Sequence, residues 1–116
     1  MRHVVKGHDD VDKPLSEPVV LILMSLAGQP RHGYSLMKDI QALSQGRVQM
    51  STGTLYGALR RLLDEGWIER FEQEDTSRDK QAYRLTIAGS RALRQEIDRM
   101  RRLTKTGTAR LRTMEA

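Results

Sequence analysis

The sequence predicts a mainly α-helical fold carrying a small β-hairpin. Three observations lead there. Apolar residues recur at helical spacing in several stretches separated by glycine or proline. Two short strand-like runs, Trp67 to Gln73 and Gln81 to Leu85, flank a charged loop. Aromatic residues make up only 4% of the chain and charged residues 30%, a composition suited to a helix-rich domain with much of its surface in water.

Residues 1–14 mix His, Lys and Asp with little apolar content and read as a flexible arm. Ser16 then offers an N-cap, with Glu17 and Pro18 in the first turn, where a missing N–H costs nothing. The helix that follows, Val19 to Leu26, is apolar nearly all round, so it belongs at the centre of the domain. Gly28 and Pro30 end it. After His32-Gly33-Tyr34 a second helix runs to about Ser44, with Leu36, Met37, Ile40 and Leu43 on one stripe, and Gly46 closes it.

A third helix spans Ser51 to Glu65. At about 100° per residue, Leu55, Leu59 and Leu62 line one face and Gly53, Gly57, Arg60 and Asp64 the opposite one. Thr54 and Arg61 lie on one flank, Tyr56 on the other. In the second strand Tyr83 and Leu85 share a face. Thr86 is placed to cap a last helix from Ile87 onward. Helix, helix, helix, strand, loop, strand, helix is the order of a winged helix-turn-helix, here over residues 15–86, with an added C-terminal helix over 87–116.

At 116 residues the chain is one domain's worth, enough to bury a modest core without metal or disulfide staples. Its 20 Lys and Arg against 15 Asp and Glu give a formal charge of +5, a balance that favours a polyanionic partner. The absence of cysteine excludes disulfides, thiol nucleophiles and thiolate metal sites, and points to a reducing, cytoplasmic setting. No apolar signal core is present near the start, and the longest apolar run, Val19 to Met24, is far too short to span a bilayer. No membrane partner is expected.

The outward face of the third helix carries the functional reading. Each glycine in a helix interior costs about 1 kcal/mol relative to alanine. On a merely solvated face that cost brings nothing. Against duplex DNA, bare Gly53 and Gly57 let the backbone approach the major groove while Ser51, Thr52, Thr54, Tyr56, Arg60 and Arg61 reach around them. Arginine offers two-pronged contacts to guanine, and hydroxyls suit phosphates. In the wing, Glu74 to Lys80, Arg78 and Lys80 are the candidates for phosphate or minor-groove contact. The wing's acids Glu74, Asp75 and Asp79 oppose that use.

The pieces quoted so far form a pattern. Leu15-Ser16-Glu17-Pro18 through Leu26, His32-Gly33-Tyr34, Thr52-Gly53-Thr54-Leu55-Tyr56, Leu59 with Glu65-Gly66, and Tyr83-Arg84-Leu85-Thr86 with Gly89 resemble the PadR family of winged-helix transcriptional regulators. The resemblance covers about residues 15 to 100, and the short C-terminal region is similar to the compact, single-helix subgroup. It implies a homodimeric DNA-binding regulator, usually a repressor, whose last helices exchange contacts. By motif, the family's DNA contacts fall on Thr54, Tyr56, neighbouring polar positions of the third helix, and the wing. Two positions depart from the pattern. Gly57 stands where the family commonly has proline. No aromatic residue follows Tyr83, whereas some compact members hold flat ligands between tryptophans of the last helix.

Independently of any family, Leu93, Ile97, Met100, Thr104, Gly107, Leu111 and Met114 recur at alternating four- and three-residue steps, a heptad seam for pairing with a second copy. Leu93, Ile97, Met100, Thr104 and Leu111 are its expected interface residues. Thr106-Gly107-Thr108 is a candidate end or kink, with the remainder frayed. A hydrophobic gap at the seam would admit a small-molecule effector of unidentified chemistry; its polar middle equally fits a signal read through a partner protein, or stability alone. The arginines flanking the seam read as a solvated face.

Other signals are discounted. His32 reads as a capping or packing residue. His3 and His8 with Asp9, Asp10 and Asp12 have irregular spacing for a metal. No convergent catalytic set or phosphate-cradling loop is evident, so neither an enzyme nor a cofactor is expected. The sequence thus predicts a cytoplasmic, sequence-specific DNA-binding regulator acting as a homodimer on an inverted repeat. The alternative is a winged helix that docks an acidic protein partner.

Overall fold

The computed structural model describes residues 13–71 and 81–115. Helix α1 is Glu17–Gly28, opened by Ser16, whose hydroxyl accepts the Val19 N–H at 3.4 Å. Its all-round apolar surface has the expected consequence. Val20, Leu21, Ile22, Leu23 and Leu26 are buried, and α1 touches the second helix, the last helix and the sheet.

Arg31 and His32 form a two-residue strand, β1, directly before α2, Gly33–Leu43. A polar network fastens this corner. Ser25 donates to Asp39 Oδ2 at 2.6 Å, and the Arg31 Nε donates to the Ser25 carbonyl at 3.0 Å. Arg31 also lies 3.5 Å from Asp39. The turn after α2 uses two left-handed residues, Gln45 at φ 55° and Gly46 at φ 82°. The buried Ser44 hydroxyl accepts the Val48 N–H at 3.0 Å across it.

Helix α3 is Thr52–Glu65, and Ser51 is its cap rather than its first helical residue. It ends on Gly66 at φ 79°, with the Trp67 N–H returning to the Leu62 carbonyl at 3.1 Å. A left-handed glycine of this kind satisfies the last helical carbonyls.

Strand β2 is Ile68–Phe71 and β3 is Ala82–Leu85. They pair antiparallel with Ile68 opposite Leu85 and Phe71 opposite Ala82. The expected strands were longer. Trp67 precedes β2, half-buried against the core, and residues 72–80 lie outside the described residues. The sheet also differs from a plain hairpin. Its order is β1-β3-β2, with Arg31 opposite Tyr83 on the outer edge of β3. Two polar residues show no alternation, so this strand leaves no periodic trace in the sequence.

Helix α4, Ile87–Glu115, corrects the expected break and frayed end. It runs unbroken through Thr106-Gly107-Thr108. One glycine costs about 1 kcal/mol, which neighbouring Arg, Leu and Lys of good helix propensity can carry. Its first half packs into the same core as α1 to α3, through Leu93 and Ile97. Every residue from Met100 to Glu115 is exposed.

Candidate nucleic-acid interface

Helix α3 sorts its residues cleanly. Leu55, Ala58, Leu59 and Leu62 are buried, while Ser51, Thr52, Gly53, Thr54, Tyr56, Arg60 and Arg61 are exposed and Gly57 is half-buried. Ala58 joins the inner face named from spacing. Of the eight residues singled out here for DNA, seven lie in α3 and Ser51 caps it, and all but Gly57 are exposed. Arg78 and Lys80 of the wing lie outside the described residues, as do His3, His8, Asp9, Asp10 and Asp12.

Two of the hydroxyls are not wholly free. Ser51 Oγ accepts the Thr54 N–H at 3.1 Å and donates to Thr54 Oγ1 at 2.9 Å. Ser51 is thus engaged as a cap, while the Thr54 hydroxyl, an acceptor in this pair, keeps its own proton to donate.

The glycines behave differently from one another. A methyl placed on Gly53 or Gly57 would meet no atom within 4 Å. Nothing in the packing of the described residues requires either one. Gly33 at the start of α2 is the opposite case. It is buried under the Tyr56 ring, and a Cβ there would fall 2.8 Å from Tyr56 Cζ and closer still to its hydroxyl. Tyr56 is consequently 40% exposed, with part of its ring spent on α2.

Arginines from two elements act on the buried Tyr83 nearby. Burial, then the nearby Tyr56, push the Tyr83 phenol above its ordinary value, while Arg70 and Arg60 act in the opposite sense. Arg70, exposed on β2 opposite Tyr83, therefore shares a neighbourhood with Arg60 of α3. Its place on a four-residue strand is the one signal the sequence carries for it, and a single exposed arginine there does not stand out among the chain's 20 Lys and Arg. On α2 the exposed Tyr34 carries Lys38 5.6 Å above its ring, adding another cation and hydroxyl to the surface.

The five seam residues divide. Leu93 is 7% exposed inside the chain's own core, and Ile97 is half-buried against that core. The same repeat served a different neighbour. Met100, Thr104 and Leu111 remain exposed, together with Leu103 and Met114. Glu96, on the same stretch, is buried beside Arg99, whose hydrogen bond holds the carboxyl below its ordinary value against the effect of burial. A groove of about 550 Å³ runs here between Leu15, Trp67, Ala88, Ala92 and Glu96, and includes no residue of α3.

Among the described residues, no helix is long and apolar enough to cross a membrane. Among the same residues, no cluster of three or more His, Asp or Glu is arranged to hold a metal ion.

Comparisons with known proteins agree with this architecture. The chain is 35% identical over 85 residues to an uncharacterized 37.1 kDa protein in transposon TN4556 of Streptomyces fradiae, spanning 73% of this chain and 23% of that one. The chain therefore covers under a quarter of that relative's length. A transcriptional regulator from Clostridium thermocellum superposes with a TM-score of 0.66 at 24% identity, over 92% of this chain and 96% of that one. Bacillus subtilis PadR, solved in complex with operator DNA, superposes with a TM-score of 0.63 at 23% identity, over 73% of this chain and 48% of that one. Residues 22–95 match the sequence model of the Transcriptional regulator PadR-like family. From the central helix α1 into the first half of α4, this chain belongs to the PadR-like family of transcriptional regulators.

Proposed function

We propose that the chain is a sequence-specific DNA-binding repressor that acts as a homodimer on an inverted-repeat operator. The observation that supports this most is the outward face of α3. It combines two unpacked glycines with hydroxyls and two arginines, at a cost in helix stability that no internal contact repays. Close approach to a groove floor gives those glycines a use. The Bacillus subtilis neighbour, solved with operator DNA, makes the same use of this fold a natural reading.

Symmetry comes from α4. Its exposed second half presents Met100, Leu103, Leu111 and Met114, at 36%, 59%, 60% and 82% exposure. A second copy would cover that stripe and set two α3 helices in successive major grooves, with half-site centres about 10 bp apart or a multiple of that. Occupying such an operator would block transcription.

The test is binding of the full chain to duplexes selected from the source genome, with random duplex as the control. Tight, site-selective binding that falls steeply as log salt rises is expected. Arg60→Ala should weaken selected-site binding by about 1–3 kcal/mol and relax preference at one base position. Equal, weak binding to every duplex would overturn the reading in favour of a winged helix that docks an acidic protein.

A further inference from the structure

The contact between Tyr56 and Gly33 joins the two helices of the helix-turn-helix at a point neither helix's own periodicity explains. Gly33 is the first residue of α2, in ordinary helical conformation, where alanine would be the better helix former. It is nonetheless buried, and the space a side chain would need is filled by the Tyr56 phenol. Tyr56 comes from the first half of α3, between the bare Gly53 and Gly57 on one side and the buried Leu55 and Leu59 on the other. The two helices otherwise approach one another over a short stretch only. Buried Tyr83, on the central strand, stands close to the same ring. A flat, stiff side chain seated on a bare backbone fixes distance and tilt together, because neither partner can re-pack without opening a gap.

We infer that Tyr56 is a positioning residue for DNA reading: by resting on Gly33 it sets the angle at which α3 is presented to the groove. The inference rests on the DNA-binding reading above. The direct contact to DNA then belongs to Thr54, Arg60 and Arg61, and Tyr56 acts through α2. Gly33 is the other half of the device. Its lack of a side chain is a requirement of Tyr56, not of the backbone at Gly33.

A double-mutant cycle decides this. The full chain, Gly33→Ala, Tyr56→Ala and the pair together are compared by thermal unfolding and by anisotropy with a duplex the parent selects from a random pool. Gly33→Ala should lower the melting temperature and weaken the selected duplex about tenfold in the parent. In the Tyr56→Ala background, with the ring gone, the same change should leave the melting temperature equal or higher and alter affinity less than about twofold. Tyr56→Phe, which keeps the ring, should retain near-parental affinity. Because no phosphate contact is lost, the slope of log affinity against log salt should be the same for Gly33→Ala and the parent. Equal penalties for Gly33→Ala in both backgrounds would overturn the inference, as would a shallower salt slope for Tyr56→Phe. A parent that selects no duplex would overturn the DNA-binding reading and the presentation role with it. The unfolding cycle would still report whether the two residues are coupled.

Discussion

At the scale of single residues, the α3 glycines and the α2 glycine make opposite demands, and substitution separates them. Gly57 has open space around it, so Gly57→Ala should raise stability by about 0.5–1 kcal/mol, read as a higher melting temperature. If the backbone approaches a groove at this point, the same variant should bind its operator more weakly. A variant both more stable and fully active would remove the reason offered for this glycine. Glu96 supplies a second residue-level prediction. Its folded value is depressed, chiefly by the hydrogen bond with Arg99, so the unfolded chain takes up its proton first as pH falls. The stabilising contribution is therefore complete above the ordinary value of 4.5 and is lost as pH drops through the lower folded value. Glu96→Gln should lower the melting temperature at neutral pH, and the gap to the parent should narrow below about pH 4.5. A gap that stays constant from pH 7 to pH 3 would mean that charge pairing is not what Glu96 contributes.

What could be read from the sequence, and what could not, is clearest at the level of elements. The inner and outer faces of α3 were legible because a 3.6-residue period separates leucine from glycine and arginine within one helix. The central place of α1 followed from an apolar surface with no polar face. Strand β1 was not legible, since two polar residues carry no period and pair only through a partner 50 or more residues away. The Tyr56–Gly33 contact is likewise a tertiary event between two helices. The seam of α4 was legible as a stripe but not in its division of labour. Leu93 and Ile97 obey the same repeat as Met100 and Leu111, yet the first pair is covered by the chain's own core. Periodicity names a face and is silent on what covers it. One hydroxyl makes two bonds at the joint between α3 and α4. Thr86 Oγ1 donates to the Gly66 carbonyl at 2.6 Å and accepts the Gly89 N–H at 3.0 Å. Gly89 itself lies against the Trp67 carbonyl with no room for a Cβ. Thr86→Val keeps the shape and removes both bonds, and should cost about 1–2 kcal/mol in denaturant unfolding.

For the whole molecule, the decisive quantity is what the exposed half of α4 does in solution. A second copy covering it predicts a mass of two chains by sedimentation, and Leu111→Asp should shift that mass to one chain. The same variant should weaken operator binding far more than binding of a half-site, because only the two-headed species gains from both contacts. A dimer unaffected by Leu111→Asp would place the pairing surface elsewhere. If a partner holds the far end, the exposed half of α4 becomes an arm anchored in the core beside Leu93 and Ile97. From Met100 to Glu115 that arm is about 24 Å long. A bend of about 5° where it leaves the core would displace its far end by about 2 Å, more than half the rise of one base pair. Operator spacing would then depend on the angle at which α4 leaves the core, set by residues that need never touch DNA.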